Sequence, residues 1–286
     1  MNDIVRAESL SKRFPGFSLE DVSFSLPAGY VMGLIGPNGS GKTTTISLLV
    51  NRIKPDSGRA EVLGLDSGRE EIRIRQSVGV VGDACYFAKE WSVARCGSAL
   101  AMFYDSWENR KFSDWCAKFG LDPKKKVKEL SKGMKMKLMI AAALARDTKL
   151  LILDEPTSGL DPVSRDELLE ILGAYIEDGE RSVLFSTHIT ADLEKIADYV
   201  TYLKEGKVFF SGPKTDLFES YCIAKGGREE LTGELKAALL GYRAYSSGFE
   251  GLLPASERKR FPGLVFDPVT LDDIVVFTQK RESFFE

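Results

Sequence analysis

Apolar residues along the chain form short runs that predict buried strands alternating with helices. The first segments, VRAESL and LEDVSFSL, alternate apolar and polar residues, which predicts a half-exposed antiparallel sheet. The runs AGYVMGLIG, SVGVVG, KLLILD and RSVLFST are almost continuously apolar, as in strands that are buried on both faces. A helix is predicted between the last two runs, over Pro162–Ile176. This alternation predicts an α/β fold with a parallel core sheet.

Two stretches depart from this alternation. Residues 86–145 carry helical periodicity and many aromatic side chains, which predicts a helical subdomain inserted into the sheet domain. DYVTYLKEGKVFFSG predicts a closing hairpin with its turn at Glu205 and Gly206. After residue 213 the pattern weakens: GELKAALLG and TLDDIVVF predict short helices, the second capped by Thr270, and GLVFDP predicts a strand. We therefore predict a main domain over residues 1–213 and a small α/β accessory region over residues 214–286.

Composition narrows the class of protein. The 286 residues are 43% hydrophobic and 28% charged, as in ordinary globular proteins, with a formal net charge of −3. There is no overall basic field, so we expect no nucleic-acid partner. The four cysteines have no metal or redox spacing, which fits a reducing compartment. The longest apolar run, residues 138–145, is far shorter than the roughly 20 residues that span a bilayer.

The segment GPNGSGKTT, residues 36–44, follows a predicted strand and opens a predicted helix. It matches the phosphate-loop pattern G-x-x-x-x-G-K-[ST], whose glycines let backbone N–H groups turn towards phosphate oxygens. The predicted nucleotide-binding residues of this loop are Gly36, Asn38, Gly39, Ser40, Gly41, Lys42, Thr43 and Thr44. Lys42 is expected to reach the β- and γ-phosphates of ATP, and Thr43 to give its hydroxyl to Mg²⁺.

Two carboxylates end the apolar run LLILDE. Asp154 is predicted at the carboxyl end of the strand, where it can hold Mg²⁺ through water. Glu155 follows and is the candidate general base that polarises the attacking water. The alternative is an ordinary strand that ends in an acidic turn. If LLILDE were the only motif in the chain, this alternative would be favoured. Beside a complete phosphate loop, the pair predicts binding or hydrolysis of a nucleoside triphosphate.

Three further segments identify a family. LSKGM (residues 130–134), SGLD (158–161) and STH (186–188) stand where ATP-binding subunits of ABC transporters have their signature, D-loop and switch histidine. Together with the phosphate loop and LLILDE they make residues 3–212 resemble that family. The resemblance implies a P-loop NTPase of ABC type, with a mixed sheet core, an antiparallel β subdomain and an inserted helical subdomain. The small C-terminal α/β appendage would follow it.

The resemblance also implies roles and partners. His188, the only histidine in the chain, would hydrogen-bond the γ-phosphate and act with Glu155 in catalysis. Two ATPase subunits, identical or related, would sandwich ATP head to tail, with Ser131 and Gly133 as contacts in trans and Asp161 at the dimer seam. The expected partner is a separate integral-membrane permease, and the expected location is the cytoplasmic face of the membrane. ATP and Mg²⁺ are the expected cofactors.

The chain departs from the family pattern at several positions. The signature has Lys132 and Met134 in place of Gly and Gln, a form that resembles the ABC-2 and YtrB-like branch. Asp83 stands where the family has its Q-loop glutamine, and it is a candidate metal ligand or a plain polar turn residue. The family stacks adenine on an aromatic residue of the first hairpin, for which Phe14 is the first candidate and Phe17 the second.

Two other classes of function remain open at this stage. The first is a soluble ABC ATPase that acts on ribosomes or DNA. The single nucleotide domain and the short stretch between phosphate loop and signature, which has no sustained heptads, count against it. The second is a regulatory nucleotide-binding module with little turnover, which the presence of Glu155 and His188 disfavours. The leading interpretation is an ATPase subunit that powers an exporter.

Overall fold

The computed structural model describes residues 2–279, which fall into two units. The first unit contains residues 2–189 and 201–211, and the second contains residues 190–200 and 212–279. The sequence predicts a boundary at residue 213. The structure also assigns the short segment 190–200 to the second unit, which the sequence pattern did not indicate.

The chain up to residue 213 contains both strands and helices. The strands are β1 (Asp3–Phe14), β2 (Phe17–Pro27), β3 (Val31–Ile35), β4 (Ser57–Val62), β5 (Leu65–Asp66), β6 (Val78–Val81), β7 (Leu150–Asp154), β8 (Ser182–Thr187), β9 (Tyr199–Lys204) and β10 (Lys207–Pro213). The helices are α1 (Lys42–Leu49), α2 (Glu71–Ser77), α3 (Val93–Leu100), α4 (Asn109–Lys118), α5 (Lys132–Leu144), α6 (Pro162–Ile176) and α7 (Thr190–Ile196). The predicted helix over Pro162–Ile176 is confirmed.

The core is a six-stranded sheet with the order β10-β9-β3-β8-β7-β6. Neighbours β3 and β8, β8 and β7, and β7 and β6 pair in parallel. Every residue of β3, β7 and β8 is buried, as their continuous apolar sequences predict. Ligands of such sheets bind beyond the carboxyl ends of the strands, which is the edge where the loops after β3, β7 and β8 begin.

A second, antiparallel sheet has the order β2-β1-β4-β5. Strands β1 and β2 form a hairpin that ends at the pair Phe14 and Phe17. The helical subdomain predicted over residues 86–145 contains α3, α4 and α5, with α5 in contact with both other helices and with β6. The hairpin β9–β10 turns at Glu205 and Gly206, whose φ angles of 50° and 77° are those of a tight hairpin turn.

The second unit has its own sheet and apolar core. Its elements after residue 213 are α8 (Lys214–Ser220), β11 (Tyr221–Gly226), α9 (Gly233–Ala238), β12 (Gly241–Ala244), β13 (Phe249–Pro254), β14 (Val265–Asp267) and α10 (Leu271–Gln279). The strands form an antiparallel sheet with the order β12-β13-β11-β14. The predicted cap of α10 is confirmed, because the Thr270 hydroxyl accepts a hydrogen bond from the Asp273 N–H at 3.1 Å.

Candidate functional site

The loop between β3 and α1 has the backbone of a phosphate loop. Gly39 and Gly41 have φ angles of 80° and 107°, a region that a residue with a side chain rarely adopts. A Cβ on Gly41 would lie 2.6 Å from Leu19 Cδ1, so a side chain at this position would have to displace Leu19. Asn38 and Gly39 are exposed at the tip of the loop, and Thr43 is exposed at the start of α1.

Lys42 is buried inside this loop and is only 6% exposed. Its Nζ donates to the carbonyl oxygens of Gly36 at 2.7 Å and Pro37 at 3.3 Å. The same Nζ lies 3.5 Å from Oε1 of Glu155. The cation is therefore held at the mouth of the phosphate loop and faces the carboxylate that follows β7.

The carboxyl ends of β7 and β8 are joined through Asp154 and Ser186. The two residues are partners in the parallel register, and both are buried. The Ser186 hydroxyl donates to Asp154 Oδ1 at 2.5 Å and accepts from the Glu155 N–H at 3.2 Å. One hydroxyl thus orients the predicted metal-binding carboxylate and the backbone of the predicted general base.

Glu155 has a strained backbone, with a φ angle of 52°. Such a conformation costs on the order of 1–3 kcal/mol in a residue with a side chain and is maintained by its surroundings. Its N–H donates to the Ser186 carbonyl at 3.0 Å as well as to the hydroxyl. The strand β8 therefore holds Glu155 in the turn that directs it towards Lys42.

His188 contacts Glu155 from the loop after β8. His188 Nδ1 lies 2.6 Å from Glu155 Oε2, and the His188 backbone N–H donates to the same oxygen at 3.3 Å. Because a carboxylate accepts, the hydrogen of this contact lies on Nδ1, and Nε2 is the ring nitrogen that does not face Glu155. The imidazole is 47% exposed, so a ligand has access to it.

The signature segment and the D-loop lie side by side in the first unit. Ser131 is exposed and caps α5, since its hydroxyl accepts from the Met134 N–H at 3.2 Å. Gly133 is so close to the D-loop that a Cβ there would lie 3.1 Å from Leu160 Cδ2. Asp161 caps α6, and the N–H groups of Ser164 and Val163 hold the pKa of its carboxyl below the usual value.

The first hairpin brings one of the two aromatic candidates to the phosphate loop. The Phe17 ring contacts Gly41, because a Cβ on that glycine would lie 3.1 Å from Phe17 Cζ. Phe14 is 41% exposed at the end of the same hairpin. The contact with the phosphate loop is thus made by Phe17, the second candidate, and the choice of Phe14 for the adenine stays a prediction. Asp83 is exposed just after β6, and its candidate role as a metal ligand stays a prediction.

The residues around the loop suit a magnesium nucleotide. Residues 2–279 contain no group of three or more His, Cys, Asp and Glu side chains that could hold a metal. Mg²⁺ is typically bound by one or two protein oxygens together with substrate phosphates, so Thr43 and Asp154 fit that pattern. The buried Ser40 hydroxyl in the loop has no hydrogen-bond partner among the described residues, as expected where a polar ligand completes the site.

Sequence reasoning gave no separate role to Ser186, although it lies within the STH motif. A role for Ser186 could have been inferred from its position at the end of a predicted buried strand, because a buried hydroxyl needs a hydrogen-bond partner. Thr157 is a second residue of this kind. It is fully buried, and its hydroxyl has no partner among residues 2–279. Both residues lie beside the acidic turn at Asp154 and Glu155.

Comparison with known proteins decides the family. The family model described as ABC transporter matches residues 19–158. The linearmycin resistance ATP-binding protein of Bacillus subtilis is 32% identical over 231 residues, which are 78% of this chain and 72% of that protein. The chain belongs to the family of ABC transporter ATP-binding proteins. The family predicted from the five motifs is therefore confirmed.

Other relatives agree with this family. An uncharacterised ABC transporter ATP-binding protein of Synechocystis is 34% identical over 78% of this chain and 65% of its own length. The present ABC protein thus spans less than two thirds of that relative. The bacitracin transport ATP-binding protein of Bacillus licheniformis is 30% identical over 73% of this chain and 69% of that protein.

The fold comparison points to the same family. The solved structure of an ATP binding subunit of an ABC transporter matches with a TM-score of 0.69 and 29% identity, over 75% of this chain and 91% of that one. The predicted ABC-type fold is confirmed. None of the helices within residues 2–279 of this ABC protein combines the length and apolarity that a membrane span needs.

Proposed function

We propose that this ABC protein binds and hydrolyses ATP to power a separate membrane permease that works as an exporter. The observation that carries the proposal is the convergence of three side chains beside the phosphate loop. Glu155 lies 3.5 Å from Lys42 Nζ on one side and 2.6 Å from His188 Nδ1 on the other. A carboxylate between a phosphate-binding lysine and an imidazole is well placed to activate water for attack on a terminal phosphate.

ATP would bind with its phosphates in the loop of residues 36–44. The backbone N–H groups and the start of α1 supply partial positive charge, and Lys42 supplies a full one. Thr43 and Asp154 would hold Mg²⁺, which supplies charge neutralisation at the phosphates. Phe14 would stack on the adenine, since its exposed ring offers a flat apolar face.

Hydrolysis would proceed by attack of water on the γ-phosphorus. Glu155 accepts a proton from this water as the new P–O bond forms, and the bond to the β-phosphate oxygen breaks to release ADP. His188 orients Glu155 through its Nδ1–H, and a second hydrogen on Nε2 would let the ring donate to the γ-phosphate as well. Ser186 keeps the Glu155 backbone in its strained turn, so the carboxylate needs little reorganisation during the reaction.

A second subunit would complete each ATP site. Ser131 is exposed at the N-terminus of α5, where N–H groups can bind an anion, and a γ-phosphate held in trans would join two subunits head to tail. Asp161 would lie at the same seam. Loss of the γ-phosphate removes that contact, so the ATP cycle alternately closes and opens the dimer and drives the permease between two states.

The relatives support export as the direction of transport. One is named for resistance to linearmycin and another for transport of bacitracin. In this proposal the protein would lie on the cytoplasmic face of the membrane, bound to an ABC-2-type permease. The substrate is recognised by the permease and is not encoded in this chain.

The test is a purification from native membranes in mild detergent with ATP and Mg²⁺. The bait is a tagged Glu155→Gln variant, which is expected to bind ATP and stay closed. The matched control adds Lys42→Ala, which is expected to weaken ATP binding, and ATP is supplied at a concentration that saturates only the bait. A multi-spanning permease recovered in stoichiometric amount, and lost in the control, supports the proposal. Recovery of ribosomal or DNA-bound proteins, with no permease, overturns it in favour of a soluble ABC ATPase.

A further inference from the structure

The chain enters the second unit two residues after His188. His188 and Ile189 belong to the first unit, and Thr190 begins the segment that the second unit includes. This segment forms α7 (Thr190–Ile196) and then returns to the first unit at Thr201. The backbone of His188 is therefore covalently tied, through one intervening residue, to a helix that packs with the C-terminal region.

Within the second unit, α7 is held by the start of α10. The backbone N–H of Leu271 donates to Glu194 Oε1 at 2.6 Å. The Thr190 hydroxyl donates to Asp272 Oδ1 at 3.4 Å. Glu194 thus satisfies an N–H that a helix start leaves without an intrahelical partner, in addition to the cap that Thr270 provides.

A second element of the same unit binds the other end of α7. The Lys214 Nζ donates to the Glu194 carbonyl oxygen at 2.8 Å, and the Lys214 backbone N–H donates to the Asp198 carbonyl at 2.8 Å. The apolar side chains of α7 and α10 are buried as well, since Leu193, Leu271 and Ile274 have no exposed surface. The helix α10 in turn contacts β12 and β13, so α7 is anchored to the sheet of the second unit.

We infer that the C-terminal unit regulates hydrolysis by positioning His188 through α7, with Glu194 as the main positioning residue. This inference rests on the proposed function of His188. Hydrolysis needs the imidazole within hydrogen-bond distance of Glu155 and the γ-phosphate. Because only one residue separates His188 from α7, an ordered α7 restricts the backbone conformations that are open to His188. A partner that binds the second unit can change turnover by loosening or tightening α7.

The experiment compares single variants of the full-length protein. Glu194→Ala removes the acceptor for Leu271, whereas Glu194→Gln keeps a side-chain oxygen that can accept the same hydrogen bond. Glu219→Ala is the matched control, since Glu219 is exposed on α8 of the same unit. Thr190→Val removes the second contact to α10 with little change in shape. For each variant, kcat and KM for ATP are measured, together with hydrogen exchange of residues 187–196.

The expected result is a change in kcat with little change in KM for ATP. Glu194→Ala should lower kcat by about fivefold, the equivalent of one net hydrogen bond, and should leave KM within about twofold. Glu194→Ala should also speed amide hydrogen exchange in residues 189–196. Glu194→Gln and Glu219→Ala should keep kcat and exchange rates close to those of the parent protein. Thr190→Val should change kcat in the same direction.

Three results overturn the inference. The first is an unchanged kcat in Glu194→Ala, whether or not amide exchange in α7 becomes faster. The second is an equal loss of kcat in Glu194→Gln, and the third is a fall in kcat matched by loss of ATP binding, since either would indicate general damage to the fold. A parent protein without ATP turnover, in contrast, would count against the proposed function itself.

Discussion

His188 Nδ1 lies 2.6 Å from Glu155 Oε2, and this contact joins the loops that follow two neighbouring parallel strands. The distance is short enough for a charge-assisted hydrogen bond. The contact places the only imidazole of the chain against the carboxylate that Lys42 also faces. The two residues should therefore act as one functional unit in hydrolysis.

Glu155→Gln should retain ATP binding and hydrolyse ATP at least about 100-fold more slowly, because the amide cannot accept the proton of the attacking water. The amide oxygen keeps the shape of the site and a hydrogen bond to His188. Steady-state ATPase assays and equilibrium binding of a fluorescent ATP analogue measure the two properties. Near-normal turnover would exclude Glu155 as the general base.

His188→Ala should lower kcat by about tenfold or more, and the double variant with Glu155→Gln should be little worse than Glu155→Gln alone. The reason is that His188 acts largely by orienting Glu155, so its contribution disappears once the base is lost. A double-mutant cycle on kcat measures this dependence. Additive losses would show that His188 acts independently of Glu155, for example on the phosphate only.

Lys42→Ala should weaken ATP binding by about tenfold or more, since a charge-assisted contact to phosphate is lost at a buried position. Lys207→Ala is the matched control, because it removes a lysine whose ion pair with Glu20 is exposed. Calorimetric titration with ATP and Mg²⁺ compares the two. Equal affinities of parent and Lys42→Ala would mean that the loop is not the phosphate site.

Sequence patterns predicted the core of the first unit because local chemistry determines it. Glycines at fixed spacing specify the phosphate loop, and continuous apolar runs specify β3, β7 and β8. The helix over Pro162–Ile176 was predicted with its observed bounds, since Asp161 and Pro162 are typical of a helix start. These features depend on residues that are close together in the chain.

The sheet of the second unit was not predicted beyond β14. Strands β11, β12 and β13 are four to six residues long. They contain glycine, alanine or charged residues, which interrupt the alternation of apolar and polar residues that predicts a strand. Likewise, the role of Ser186 depends on its register with Asp154 across two parallel strands. Pairing between distant segments is set by the folded sheet, so a single sequence carries little signal for it.

Phe14→Ala should weaken ATP binding about fivefold and leave binding of inorganic tripolyphosphate unchanged, because stacking of one ring contributes on the order of 1 kcal/mol and involves only the base. Phe17→Ala tests the second candidate. Since Phe17 contacts Gly41 of the phosphate loop, its loss should weaken both ligands. A selective loss of ATP affinity in Phe17→Ala alone would assign the adenine to Phe17.

Ser186→Ala should lower kcat several-fold and destabilise the fold by about 1–3 kcal/mol, because a buried carboxylate loses its hydroxyl donor. Ser182→Ala is a matched control on the same strand, since the equally buried Ser182 accepts a hydrogen bond from the Gly29 N–H at 2.9 Å, at the opposite end of β8. Both variants should unfold at lower urea concentration, but only Ser186→Ala should lose turnover. A parallel loss of activity in both would mean that stability of β8, and not the orientation of Asp154 and Glu155, is what hydrolysis depends on.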